Sequence, residues 1–384
     1  MGSAVIVDAV RTPIGRRNGT FRETHPVDLV AHTLRSLVAR TGIDPGIVED
    51  VITGCVAQVG EQSINVSRNA LLAAGFPETV PGTSVDRQCG SAQQAIHFGA
   101  QGVMAGVYDV VIAAGVESMT RIPMGTSASV GGSPFSKSLT DRYHLVGQGT
   151  SAEMIAEKWN LTREDNDQLS VESHRRLALA IDEGRFDKEI VPIDVTVDGE
   201  TVTFAVDEGL RRGTSMETLA NLKPAFKEGG RVTAGSSSQI SDGAAAVLIM
   251  SEEKAAALGL TPRARIHAFA LAGVDPVMML TGPIPATTKV LERAKMSLDE
   301  IDLVEINEAF APVVLAWERE HRPDMAKVNV NGGAIAMGHP LGASGTRLMC
   351  TLLNELERTG GRWGLQTMCE GGGMANATII ERLG

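Results

Sequence analysis

The sequence predicts an α/β protein in which one sheet-and-helix unit occurs twice, with a dissimilar segment inserted between the copies. Three observations carry this reading. Val/Ile-rich strand patterns alternate with helix-length segments in the first and last thirds of the 384 residues; the two thirds share their spacing; and residues 119–242 break the rhythm. Composition agrees. With 43% hydrophobic and 21% charged residues the chain is too apolar for disorder, and it exceeds the roughly 250 to 300 residues at which one core stops growing. Its 42 glycines and 4% aromatics imply tight turns and close helix-to-sheet packing on Ala, Val, Ile and Met.

In chain order, Ala4 to Val10 reads as a strand, Val27 to Arg40 as a helix, Val48 to Cys55 as a strand, Gly90 to Ala105 as a helix and Asp109 to Gly115 as a buried strand. This βαβ order predicts a mostly parallel sheet. The last third repeats it: Ala264 to Ala270 strand, Ala286 to Lys295 helix, Ile301 to Ile306 strand, Gly345 to Glu357 helix, Gly364 to Cys369 strand. Adding 253 carries Val51 onto Val304 and Cys89-Gly90-Ser91-Ala92 onto Gly342-Ala343-Ser344-Gly345, while adding 255 carries Met119 onto Met374. Between the copies, a Gly/Ser/Pro-rich stretch (Gly125 to Ser138) precedes amphipathic helices at Ser151 to Trp159 and Asp165 to Glu183, which read as a lid or arm. The domains are therefore expected at 1–263, carrying the insertion 119–242, and 264–384.

The net charge of -11, from 35 Lys plus Arg against 46 Asp plus Glu, argues against a nucleic-acid binder, and an anionic ligand would need a local positive cluster. No apolar stretch approaches the ~18 residues of a membrane span. Met1 to Asp8 lacks a basic region, an apolar region and a cleavage site, so a cytoplasmic location is the expectation. The four cysteines (55, 89, 350, 369) lie too far apart for a CxxC pair or a zinc knuckle, which makes any special one a nucleophile rather than a staple. GxGxxG after a strand, the P-loop, HExxH and GxSxG are all absent, and nothing supports a metal site.

Three segments concentrate chemistry. Arg87-Gln88-Cys89-Gly90-Ser91-Ala92 places a thiol just before a helix, where free N–H groups favour a thiolate; alone, Cys89 also reads as a small buried hydrophobe. Asn329 to Gly345 packs five glycines and His339 into a loop leading to the second copy's helix, which suits a base or hydrogen-bond donor. Met368-Cys369-Glu370-Gly371-Gly372-Gly373 puts a second thiol at a strand end before glycines whose N–H groups suit an oxyanion hole, with a buried strand Cys as the plain alternative. Glu305 to Phe310 ends the corresponding strand of the same copy, so an amide and a carboxylate are expected near that thiol; Asn307 either holds a water or caps a helix starting at Glu308. Cys55 and Cys350 read as core, His97 and His174 as packed or solvated helix residues, and Arg175-Arg176 as a solvated helix face.

Together, QCGSAQQA, VESMT, TAGSSSQISDGAAA, EINEAFA, NVNGGAIAMGHPLGASG and MCEGGGMANATIIE resemble the thiolase family over essentially the whole chain. The resemblance implies a duplicated five-layered αβαβα fold, a loop domain covering coenzyme A, and dimers that often pair into tetramers. It implies no tightly bound cofactor, with coenzyme A and acyl-CoA as substrates. By position, Cys89 resembles the nucleophile, His339 its base and Cys369 the acid/base at C2 of acetyl-CoA. His339 with a water on Asn307 resembles a first oxyanion hole, and the N–H groups of Cys89 and Gly371 a second. Ser238 matches a serine facing the pantetheine, Arg211 a cation near the nucleotide, and Met279 and Phe310 acyl-pocket positions. The chain departs from the short-chain biosynthetic pattern at Gly147-Gln148-Gly149, in place of His-Met-Gly, and at Ser236, in place of Asn. It is more similar to the branch that thiolytically shortens fatty-acyl or steroid-derived 3-ketoacyl-CoA than to biosynthetic acetoacetyl-CoA thiolases. A decarboxylating ketoacyl synthase is disfavoured because Cys369 stands where that class has a His, and a thiolase-like lipid or sterol carrier because all four reactive positions are intact.

Overall fold

The computed structural model describes residues 2–384. The first unit comprises β1 (Ala4–Arg11), β2 (Gly15–Arg16), α1 (Pro26–Thr41), β3 (Asp50–Gly54), α2 (Val66–Ala73), β4 (Gly82–Val85), α3 (Ser91–Met104) and β5 (Val110–Ser118). A middle segment holds α4 (Lys137–Thr140), α5 (Gln148–Lys158), α6 (Arg163–Asp182), β6 (Ile193–Val197), β7 (Glu200–Phe204) and α7 (Met216–Ala220), after which β8 (Ser241–Ser251) and α8 (Glu252–Ala257) complete the unit. The second unit runs through β9 (Ala264–Gly273), α9 (Pro283–Ala294), β10 (Leu303–Ile306), α10 (Ala311–His321), α11 (Ala334–Met337), α12 (Ser344–Thr359), β11 (Trp363–Glu370) and β12 (Met374–Arg382). Local signals set these limits. Pro26 at the first turn and left-handed Gly42 bound α1, and a reciprocal Thr162–Asp165 capping box opens α6.

The strands pair in the order β10-β11-β12-β9-β1-β8-β5-β3-β4, and the ladder between the two halves, β1 with β9, consists of Val5–Arg265 and Ile6–Ala264 among the described residues. Val51 lies opposite Ile112 in the first half and Val304 opposite Leu365 in the second, the same register displaced by 253. α3 and α12 begin at Ser91 and Ser344, again 253 apart. The duplication read from spacing is thus present in the strand ladders. The expectation of a mostly parallel sheet is corrected. Only β3–β4, β3–β5 and β10–β11 are parallel, whereas β1–β8, β5–β8, β9–β12, β11–β12 and β1–β9 are antiparallel. The physical reason is the length of the connections: only Gly371–Gly373 separate β11 from β12, too few residues for a parallel crossover.

Alternation along the strands divides the core into layers. One face of the first half-sheet (Val5, Val110, Ile112, Leu248) packs with Leu29, Leu34 and Leu71 of α1 and α2. Its other face (Ile6, Ile52, Val111, Ile249) shares a core with Ile96 of α3, Leu352 and Leu353 of α12, and Ile266 and Ile380 of the second half. The far side of that half packs Val290 of α9 and Trp317 of α10. The order is therefore helix, sheet, helix, sheet, helix, with α3 and α12 enclosed at the centre. Cys55 and Cys350 sit in these cores as expected.

Two features of the insertion differ from expectation. It contains the β6–β7 hairpin, whose Ile193, Val195 and Phe204 join the outer core beside α1 rather than an arm. Arg176 is not a solvated residue: its guanidinium donates to the carbonyls of Met325, Val328 and Asn329, tying α6 to the start of the glycine loop, while Arg175 stays exposed on Glu172.

The central helices meet backbone to backbone. A Cβ on Gly345 would stand 2.1 Å from the peptide nitrogen of Gln93, and one on Gly115 would stand 2.4 Å from the Gly342 carbonyl oxygen. Since backbone cannot yield as a flexible side chain can, Gly345→Ala is expected to lower stability by about 1–3 kcal/mol or more in denaturant unfolding, with no change at an exposed glycine such as Gly213 replaced by Ala.

Candidate active site

Five of the expected residues converge where the starts of α3 and α12 meet the ends of β10 and β11. Cys89 occupies the turn before α3, where Gln88 adopts a left-handed φ of 48° and Ser91 locks the bend, its Oγ donating to Gln88 O at 2.6 Å and accepting from Arg87 N at 2.9 Å. Cys89 is 4% exposed and packs with Leu348, Met368 and Leu341, two residues beyond His339. Burial pushes its thiol up to about 12, with Glu370 adding to the rise, while the N–H groups of Gly371 and Cys89 and the Gln148 side chain point at the sulfur and oppose it. The expected helix-start donors are not the ones at the sulfur, since Gly90 N and Ser91 N are taken by the carbonyls of Arg87 and Gln88; the N–H groups of Cys89 and Gly371 stand there instead, yet burial outweighs them and the resting group is a neutral thiol.

Cys369 is the last residue but one of β11, fully buried, and the charge of Cys89 is among the causes that raise its thiol far above normal, after burial itself, so the two sulfurs lie close together. Asn307 follows β10, its N–H held by Thr367 O at 3.1 Å, and its Nδ2 lies 3.2 Å from His339 Nε2. An amide NH2 only donates, so Nε2 accepts and Nδ1 carries the proton. That Nδ1–H meets Ser344 Oγ at 2.6 Å, which donates to Pro340 O at 2.9 Å, and the imidazole is thereby aimed by the start of α12. Burial, with Arg347 behind it, pulls His339 down to about 3, so it is neutral and free to accept a proton. The loop is braced by Gly338 at φ 116°, where a Cβ would meet Ser241 Oγ at 2.1 Å, and by the His339 N–H, which donates to Gln239 O and Ser241 Oγ.

Two sequence expectations are corrected here. Asn307 does not cap a helix, because α10 starts at Ala311 behind Phe310. Nor does Glu305 or Glu308 supply the carboxyl near the thiols. Glu308 takes hydrogen bonds from Ser173 Oγ, Asn329 Nδ2 and Ile335 N, bracing the glycine loop; Glu305 lies 3.8 Å from buried Arg347; and the carboxyl acting on both sulfurs is Glu370.

The outer positions separate into two groups. Met279 and Phe310 join Cys369, Ala152 and Ile155 in one apolar cluster, and Phe226 stacks edge-on against Phe310 in the space left by side-chain-free Gly149. Arg211 instead lines a cavity of about 260 Å3 with His174, Thr218, Leu222, Gly235, Gln239 and Ile335, reaching His339 through Gln239. Among the described residues Arg212 pairs with Asp182, whereas Arg211 meets no carboxylate. Ser238, next in the chain to Gln239, is half-buried with its N–H on Ala309 O, and Ser236 is buried and accepts from Thr233 N. Sequence reasoning missed His174, whose Nδ1 accepts from Arg211 N, and Ser344, which touches His339; Gln148, singled out only as a departure from the biosynthetic pattern, touches Cys89. The His-x4-Ser spacing held a signal for Ser344; His174 sits on a helix 37 residues from Arg211 and had none. Among the described residues there is no helix long and apolar enough to cross a membrane and no cluster of His, Cys, Asp or Glu suited to a metal.

A duplicated layered fold enclosing two thiols and an imidazole is the architecture of a thiolase. Residues 4–253 match the family model for the thiolase N-terminal domain and residues 260–382 that for the C-terminal domain. The chain is 54% identical over 392 residues to the steroid 3-ketoacyl-CoA thiolase FadA6 of Mycobacterium tuberculosis, covering 100% of this chain and 95% of that protein. It is 45% identical to a 3-ketoacyl-CoA thiolase of Aliivibrio fischeri, with both chains fully covered. The solved acetyl-CoA acetyltransferase of Bacillus anthracis superposes with a TM-score of 0.94 at 42% identity, covering 100% of this chain and 99% of that one. The chain belongs to the thiolase family.

The buried charges make stability depend on pH. Burial pushes Glu305 and Glu370 up from 4.5 to about 8, so each stabilises the fold fully below pH 4.5 and loses that contribution as pH rises through about 8. His339, His97 and His174 are pulled below 6.5 and cost stability only as pH falls beneath that value. Above about pH 7.5, one unit beyond the histidines' ordinary value, the carboxyls dominate, and stability should fall with rising pH toward about 8 by up to about 1.4 kcal/mol per unit for each. Scanning calorimetry reads this, and a melting temperature that holds or rises across the window contradicts it.

Proposed function

We propose that this chain is an acetyl-CoA C-acyltransferase that cleaves 3-ketoacyl-CoA with CoA, giving acetyl-CoA and an acyl-CoA shortened by two carbons, reversibly as a Claisen condensation. The observation that carries the reading is the meeting of the two helix starts, which puts Cys89 near Cys369 and against Leu341, two residues beyond the neutral His339 that Asn307 holds. Cys89 gives its proton to His339 Nε2 and attacks the C3 carbonyl of the substrate, and the N–H groups of Cys89 and Gly371 receive the tetrahedral oxyanion. As the C2–C3 bond breaks, its electron pair passes to the enolate of acetyl-CoA. The enolate oxygen is held by Nε2–H, now a donor, and by a water on Asn307. Cys369 protonates C2 and acetyl-CoA leaves. The CoA thiol then gives its proton to Cys369 and attacks the acyl-sulfur carbon, and His339 returns its proton to the Cys89 thiolate. Two steps through one sulfur require ping-pong kinetics.

Arg211 and Ser238 line the proposed CoA path, with Arg211 providing positive charge on an acidic protein, and Met279 and Phe310 face the acyl chain. Gln148 at the sulfur, Ser236 in place of Asn and the FadA6 similarity favour longer or ring-bearing 3-ketoacyl-CoA substrates over acetoacetyl-CoA. The proposed division is 1–263, with insertion 119–242, and 264–384, working in the cytoplasm without a tightly bound cofactor. A homodimer or homotetramer is proposed, supported by β4, which ends the sheet with an unpaired edge.

Incubation with acetyl-CoA and intact-mass measurement should add one acetyl group that Cys89→Ala abolishes; a non-enzymatic carrier gains none. Cys369→Ala should keep the adduct but lose deuterium exchange at C2 of acetyl-CoA. His339→Ala should lower thiolysis by about 10²–10⁴-fold, and Arg211→Ala should raise KM for CoA with little change in kcat. A thiolysis panel from acetoacetyl-CoA to ring-bearing 3-ketoacyl-CoA decides the branch, and clear preference for acetoacetyl-CoA would mark a biosynthetic enzyme.

A further inference from the structure

The reaction scheme leaves the buried acid next to the thiols unused. Glu370 follows Cys369 on β11, is fully enclosed, and among the described residues neither of its oxygens has a protein hydrogen-bond partner. Its Oε1 presses on the helix start that bears the nucleophile: a Cβ on Gly90 would stand 2.0 Å away. The groups facing it are Asp86 and Arg87 from the turn before α3, Cys89 at that turn's end, Cys369 on its own strand, and uncharged Asn376 and Met374 from β12. Two neighbouring donor groups point elsewhere, while Arg87 Nε, like the carboxyl, has no partner among the described residues. Asn376 Nδ2 donates to Gly90 O at 3.0 Å, and Arg87 Nη1 faces Met374 Sδ at 3.8 Å.

The duplication provides an internal comparison. The 253-residue offset carries Glu117 onto Glu370 and Cys89 onto Gly342. Glu117 is buried in the same way beneath the start of α12, but it takes hydrogen bonds from Val56 N, Ala57 N, Gln62 Nε2 and Gly342 N at 2.9, 3.1, 2.8 and 2.9 Å. One copy uses the carboxyl as a bonded strut; the other leaves it unbonded where the helix start bears sulfur. Burial of an unbonded carboxylate is costly and outweighs the attraction of Arg87, so the group is held as the neutral acid, pushed up to about 8 with Asp86 adding to the rise. Its charge, when present, raises both thiols.

We propose that Glu370 is a positioning residue that governs the cysteine pair: as the neutral acid it leaves both sulfurs able to take negative charge, and as a carboxylate it withholds that charge. The consequence is an alkaline loss of acyl transfer that belongs to Glu370 rather than to the cysteines. The inference rests on the reading that Cys89 carries the acyl group.

The test is the rate of acetyl transfer from acetyl-CoA to the enzyme, quenched and weighed intact, over about pH 6.5 to 9.5 for the wild type, Glu370→Gln and Glu370→Ala. Near pH 7 wild type and Glu370→Gln should agree within about twofold, and by about pH 9 the wild type should lag roughly tenfold, the equivalent of one pKa unit at the thiol. Glu370→Ala should show the same pH-dependent ratio, which keeps the test open if the Gln variant does not fold. A ratio to wild type that stays constant across the range, whether near one or uniformly low, means the carboxyl serves packing alone and overturns the proposal. Failure of the underlying reading looks different: the acetyl group would never form on the wild type or would survive Cys89→Ala.

Discussion

The close approach of two helix starts at the centre of the molecule is the constraint on which everything else depends. α3 and α12 are enclosed between half-sheets, and Gly54, Gly115, Gly342 and Gly345 let backbone touch backbone there. A helix start exposes N–H groups and must be entered through a turn. Two such starts in contact therefore bring two turns together, one carrying Cys89 and the other His339. The strand ends from the same half-sheets contribute Asn307 and Cys369. A site drawn from four places in the chain is a geometric result of packing two copies of one unit face to face.

Because the copies are related, their differences show what was added for chemistry. Under the 253-residue offset Gly54 corresponds to Asn307, Asp86 to His339, Cys89 to Gly342 and Val116 to Cys369. Each pair joins a residue facing the reaction with one that serves packing or a turn. The first copy supplies the nucleophile, the second the base, the amide and the second thiol, so neither half holds a complete set.

Burial sets the electrical state of this set. Cys89, His339 and Glu370 are all pushed toward their neutral forms, and desolvation is the leading cause in each case. The enclosed site thus rests uncharged and takes charge only when proton transfer and a bound oxyanion compensate one another. Water-excluding walls strengthen the few dipoles aimed at the reacting atoms, such as the Gly371 and Cys89 N–H groups.

Much of this was legible in the sequence. Strand and helix periods, the offset between copies, and the glycine runs around Cys89, His339 and Cys369 are local signals, because alternation, turn chemistry and helix starts are decided within a few residues. Where long-range packing decides, the sequence was silent or misleading. Strand direction followed the three-residue β11–β12 turn and the return of β8 rather than βαβ rhythm. Arg176 looked like a surface residue until the carbonyls of 325–329 were placed beside it. Glu305, Glu308, Glu117 and Glu370 are all acidic residues at or beside strand ends, yet one faces an arginine, two are fully bonded and one is bare beside two sulfurs. Residue type and spacing alone determined the duplicated fold, the insertion and the reactive side chains; only the folded chain decided which sulfur neighbours which acid and how far burial shifts each charge, since desolvation depends on atoms contributed from everywhere else in the molecule.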